Sequence, residues 1–151
     1  MLNNNFNYIN RLIALGIFLL TFIVYFDTMA PTVSYWDCGE FIAVSHTLGV
    51  PHPPGSPFFL LLGRIFSMLP FNEDIAFRVN IISPLVSALA VMLLYFSIVK
   101  VVTHWRGKVN SLSDCLIVFG GGAAGALAFA FTDSHWFNAV EAEVYAFSTF
   151  F

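Results

Sequence analysis

Three apolar runs constrain this chain more than anything else in it. The first, "LIALGIFLLTFIVYFDTMA" (residues 12–30), has 19 residues and a single charge, Asp27, near its far end. A bilayer core of about 30 Å takes about 20 helical residues to cross. The second, residues 78–102, carries Pro84 near its start, where a kink is expected. The third, residues 115–131, is rich in Gly and Ala, and a fourth begins at about residue 144 with "VYAFSTFF". Only 10% of the residues are charged, against about 25% in soluble domains, and mean hydropathy is +0.80. The fold class implied is all-α integral membrane. A net charge of −3 supplies no basic patch for nucleic acid. Thr28 and Ala30 also fit a signal-peptide cleavage site, but the length of the run and the Pro31 behind it favour a retained span.

The polar stretches then acquire sides. Residues 1–10 read as a short Asn-rich tail, and residues 31–77 as one long loop. That loop holds a short helix over about Asp37–Leu48 and the apolar piece "FFLLLGRIFSMLP" (58–70), too short to span and read as an interfacial or re-entrant helix. Arg11, Lys100, Arg106 and Lys108 fall on one side of the spans, which the positive-inside rule makes cytoplasmic. The loop 31–77 and a second polar cluster, 132–143, then share the non-cytoplasmic side and can build one site there. The last run has no end within the sequence. Residues 1–151 are therefore expected to be the N-terminal part of one longer transmembrane domain, inactive alone.

Several residues in these clusters suit chemistry. Asp37 and Glu40 stand three apart, on one face of a helix. Mutual repulsion and burial would raise a pKa and suit a carboxylate to take a proton from a hydroxyl. The same spacing also fits a helix-capping box. "HPPG" (52–55) stiffens the chain and fixes His52, whose imidazole could meet a phosphate or an acceptor. Arg64 and Arg78 are cations at the edge of apolar helices, suited to a lipid phosphate or to snorkelling. In "DSHWFNAVEAEVYAF" (133–147), Trp136 and Tyr145 could stack on a sugar or mark the interface, and Asn138 could bind substrate. Glu141 and Glu143 would lie about 200° apart on a helix, so one of the two is expected to enter the site. Gly121 and Gly125 form a small-xxx-small pattern for close helix packing. Cys38 and Cys115 match no metal spacing and no disulfide framework.

The string "APTVSYWDCGEFIAVSHTLGVPHPPGSPFFLLLGRIFSMLP", followed by "FRVNIISPLVSAL", resembles the start of the transmembrane protein 260 family of protein O-mannosyltransferases and its bacterial relatives. The resemblance covers nearly the whole chain from about Leu12. It implies the N-terminal helices of a polytopic type-C glycosyltransferase fold, with interfacial helices in the first outer loop. It implies an inverting transferase, with a sugar, a hexose such as mannose, carried on a polyprenyl phosphate and moved to a Ser or Thr hydroxyl of a protein or other acceptor. Asp37 matches the general base and "HPP" the motif that follows it. The acidic partner departs from the family pattern: it is Glu40 rather than the next residue. The second carboxylate would come from the later outer loop, as Glu141 or Glu143. The resemblance to bacterial relatives implies an inner membrane with the active face toward the periplasm. No metal ligand set is assigned, and a divalent-metal requirement stays open.

A transporter component or a non-catalytic assembly factor is the alternative. Transport would call for ionisable groups near the middle of the spans. Neither residues 79–99 nor residues 115–131 contain an Asp, Glu, Lys, Arg or His.

Overall fold

The computed structural model describes residues 2–150 except 54, 108 and 110, with side chains described from residue 5 onward. Pro54 and Lys108, singled out above, lie outside the described residues. The elements are α1 (Leu2–Thr28), α2 (Cys38–Thr47), α3 (Pro57–Met68), α4 (Ile75–Asn80), α5 (Ile82–Arg106), α6 (Leu112–Ala130), α7 (Asp133–Ala139) and α8 (Tyr145–Phe150). No strand occurs among the described residues. Three helical segments are long and apolar enough to cross a membrane, Asn5–Thr28, Ile75–Arg106 and Leu112–Ala130. The chain is an all-α integral membrane protein.

Two boundaries differ from the sequence reading. The Asn-rich start is no tail but the first turns of α1. Phe6 stacks on Phe119 with ring centroids 4.7 Å apart, which holds these turns to α6. The second apolar run is not continuous either, because the chain turns at Ile81 between α4 and α5. Pro84 sits in the first turn of α5 and has no N–H to offer the carbonyl of residue 80. Ile81 keeps right-handed helical angles (φ −59°), so the interruption lies where a proline near the start of the run was expected to kink it.

α1, α5 and α6 pack as an up–down–up bundle around Ala14, Ile17, Tyr25, Val91, Tyr95, Val118 and Ala126. At one end Ser111 and Asp114 form a capping box that starts α6, and Arg106 Nη2 pairs with Asp114 Oδ1 at 2.7 Å. At the other end the Tyr25 hydroxyl donates to Ala130 O (2.8 Å), and Ala30 N–H donates to Val140 O (2.8 Å). A second core lies at that end, where α2, α3, α4 and α8 bury Cys38, Phe41, Phe59, Val79, Ile82 and Phe147. Both polar clusters thus sit at the same end of the bundle, opposite Arg106.

Of the expected Gly121–Gly125 pair on α6, Gly125 packs against α5, but its partner there is Gly122 rather than Gly121. Nothing lies within 4 Å of a Cβ built on Gly121, whereas one on Gly122 would sit 2.7 Å from Val99 Cγ2, and one on Gly125 2.9 Å from Ile98 Cδ1. Gly122, Gly125 and Ala126 are the i, i+3 and i+4 positions that let α6 approach α5, and Gly121 looks outward. Gly122→Leu is expected to destabilise the bundle by about 1–3 kcal/mol through overpacking, while Gly121→Leu is tolerated. Thermal unfolding of the two variants in detergent checks this. Equal melting temperatures would contradict the packing.

Candidate active site

The site begins with how α2 and α3 are joined. They run side by side in the same direction: Phe41 meets Phe59 at 5.7 Å between ring centroids, and His46 Nδ1 lies 3.4 Å from Ser67 Oγ. A side chain on Gly63 would overlap Ser45, so only glycine permits this approach. Parallel helices need a connection that travels back to the starting end. α2 stops at Leu48, in the left-handed region with φ 55°, and Gly49 N–H donates to Val44 O (2.9 Å). The returning loop turns again at Gly55, with φ 80°. This return carries His52 back to the first turn of α2.

There His52 closes on both acidic residues. Its backbone N–H donates to Glu40 Oε1 (2.8 Å), its Nδ1 lies 2.6 Å from Glu40 Oε2, and its Nε2 is 3.9 Å from Asp37 Oδ2. Those bonds hold Glu40 below the ordinary carboxylate range, and Glu40 in turn pushes His52 up. The expected rise of a pKa in an Asp37–Glu40 pair is therefore reversed at Glu40. An imidazole stands between the carboxylates, and Glu40 favours its protonated form. The capping box does not form either. Asp37 occupies the N-cap position of α2 without a side-chain cap bond, and Glu40 is committed to His52. The Asp37 carboxylate is left facing solvent, with a side chain 57% exposed.

The later polar cluster meets this face from α7 and α8. Residues 140–144 are not helical, which removes the 200° separation expected for Glu141 and Glu143. Both are buried, but they do different things. Glu141 accepts a hydrogen bond from the Ser34 hydroxyl. Glu143 lines a cavity of about 190 Å³ together with Asp37, His52, Ser56 and Tyr145, walled by Phe41 and Val144. Burial, reinforced by Glu141 and Asp37, pushes the Glu143 carboxyl above its ordinary range. The cavity thus joins an exposed acidic group, a histidine raised by its partner and a buried carboxyl inclined to keep its proton.

Other sequence candidates lie elsewhere. Arg64 donates to His46 O at the far end of α2. At about 1.5 Å per residue its backbone is about 10 Å along α3 from Pro57 and the cavity. Arg78 Nη1 donates to Leu69 O (3.1 Å), just past the end of α3, farther still. Both arginines serve helix C-terminal carbonyls. Trp136 Nε1 donates to Thr28 Oγ1 (3.3 Å) and packs on Tyr25 and Phe131, while Asn138 Nδ2 bonds back to Ser134 O in its own helix. Cys38 and Cys115 are free thiols, Cys38 in the outer core and Cys115 in the first turns of α6. Sequence reasoning missed Ser34, Ser56 and Asn80. Only Asn80 carried a readable signal, since a polar amide inside an apolar run is costly unless it has work to do.

Asp37, Glu40 and His52 offer ligand atoms that all lie within 4.8 Å of one another, a set that could hold a divalent cation. Carboxylate and imidazole donors suit such an ion, and binding it would compete with the His52–Glu40 hydrogen bond.

Residues 37–151 match the family model described as the protein O-mannosyl-transferase TMEM260 N-terminal domain. The chain belongs to the TMEM260 family. It is 31% identical over 138 residues to the protein O-mannosyl-transferase tmem260 of Dictyostelium discoideum, covering 89% of this chain and 15% of that protein. It is 30% identical over 139 residues to the TMEM260 protein O-mannosyl-transferase of Mus musculus, covering 91% of this chain and 18% of that protein. The chain therefore spans less than one fifth of the length of these TMEM260 relatives. No solved structure matches. The match to the TMEM260 domain opens at Asp37, so the helices that build the cavity all fall inside it.

Proposed function

We propose that the protein to which this chain belongs is an inverting membrane O-mannosyltransferase. It would move mannose from a polyprenyl phosphate to a Ser or Thr hydroxyl on the non-cytoplasmic face. The observation that carries this reading is the cavity that gathers Asp37, His52 and Glu143 in a chain of the TMEM260 family. The cations Arg11, Lys100 and Arg106 on the other side of the spans support this choice of face. A bacterial inner membrane with the cavity toward the periplasm is the setting that the resemblance to bacterial relatives supports.

In this reading Asp37 takes the proton of the acceptor hydroxyl as its oxygen attacks the anomeric carbon. The bond from that carbon to the phosphate oxygen breaks, and the phosphate leaves with the electron pair. Attack from the side opposite the leaving group inverts the centre. Charge growing on the phosphate needs a positioned cation. His52, raised by Glu40, stands closest to that role. Arg64 and Arg78, bonded to helix-end carbonyls away from the cavity, are given no role at the phosphate. Glu143, inclined to stay protonated, would donate a hydrogen bond to a sugar hydroxyl, and Tyr145 would cover the sugar face.

The test is transfer by the full-length protein in detergent, with short-chain polyprenyl-phosphate mannose and Ser/Thr peptides as substrates. Mass spectrometry is expected to find one hexose added to the peptide hydroxyl. Failure of a folded preparation to transfer from any polyprenyl-linked hexose would overturn the reading.

A further inference from the structure

Asp37 faces solvent, caps nothing and makes no close bond, so its side chain does not place itself. Its backbone is held on one side by α2, where Phe41 N–H donates to Asp37 O (2.9 Å), and on the other by residues 30–36, which contain no helix. That stretch also contains Trp36 at φ 59°, a left-handed conformation that a bulky residue keeps only where its surroundings impose it. Something must hold the segment, and one side chain bonds to it at two points and to Cys38, just past Asp37, at a third. Asn80, fully buried at the end of α4, donates from Nδ2 to Ala30 O and to Thr32 O, both at 2.9 Å. Its Oδ1 accepts from Cys38 Sγ at 3.7 Å. The three partners bracket Asp37: two lie before it and one directly after it.

We infer that Asn80 is a positioning residue, fixing the 30–38 segment so that the Asp37 carboxylate stands at the mouth of the cavity. The inference rests on the reading of Asp37 as the base. An amide suits the place because it offers two donors and an acceptor from one planar group. A carboxylate would turn an oxygen toward two carbonyls, and a hydrocarbon would leave both carbonyls without a partner. Asn80 closes α4 just before the turn at Ile81, where it reaches the carbonyls that follow α1.

The experiment uses the full-length protein with Asn80→Ala and Asn80→Asp, read in two ways. The first is transfer from polyprenyl-phosphate mannose. Turnover is expected to fall on the order of 10- to 100-fold, as misplacing a reacting group does, with the donor KM changed by less than about threefold. The second is the rate at which N-ethylmaleimide labels each cysteine, followed by peptide mass spectrometry. Cys38, buried in the intact protein, is expected to label about tenfold faster or more as its segment opens. Cys115, in α6, is expected to keep its rate. Wild-type turnover together with a blocked Cys38 in either variant would overturn the inference. So would equal acceleration at Cys38 and Cys115 in both variants, which would make Asn80 a support of the whole fold. If Asp37→Asn transfers at the wild-type rate, the reading of the base fails. The labelling arm then still decides whether Asn80 holds the segment.

Discussion

Asp37→Asn in the full-length protein is expected to lower transfer by about 10²- to 10⁴-fold, the range for a lost general base. Melting temperature should barely move. The Asp37 carboxylate caps no helix and is 57% exposed, and it touches its nearest cationic neighbour, His52, only at 3.9 Å. Surface changes of this kind usually stay within about 0.5 kcal/mol. The asparagine keeps size and shape but accepts a proton far less readily. Peptide mannosylation measured at saturating donor, beside thermal unfolding of the same preparation, separates the two effects. Transfer at the wild-type rate would remove Asp37 as the base.

The second large effect concerns His52. His52→Gln is expected to slow transfer by about 10²-fold, the lower end for losing a group that stabilises developing negative charge. Glu40→Gln tests the same idea through pH. Glu40 raises His52 by accepting its hydrogen bonds. If the cationic imidazole is the active form, kcat/KM falls as pH rises through the His52 pKa. Glu40→Gln removes the charge that raises this pKa. The basic limb of the profile should then move to lower pH, leaving more of the histidine neutral at any given pH. A basic limb that stays in place would show that His52 does not act as the cation. A divalent ion held by Asp37, Glu40 and His52 would give another signature, because transfer would then fall on adding EDTA and return with the metal.

Much of the architecture was legible before any coordinates. Apolar runs of spanning length appear directly in the chain, because lipid tolerates neither charges nor unpaired backbone amides. The placement of Asp37, Glu40 and His52 at one end followed from counting cations in the loops. The errors have different causes. The Asn-rich start was read as irregular and is helical, the Gly121 face lay one position off on an intact helix, and the separation of Glu141 from Glu143 assumed a helix that is absent there. Phe119 holds the first turns of α1, Pro84 breaks the second run, and the 140–144 segment gives up its helix.

What the sequence determined by itself was therefore the solvent and the inventory: a membrane bundle, two polar clusters on one side, and residue types suited to proton transfer beside phosphate. Only the tertiary structure decided which of those residues meet. α2 and α3 run parallel and Gly63 lets them approach at Ser45, so the loop between them has to come back and set His52 on Glu40. The same geometry carries Arg64 away to the end of α2, although its charge had made it as good a candidate. Local periodicity reports which face of a helix is apolar. It does not report the direction in which one helix is laid against another, and that direction placed the histidine and removed the arginines.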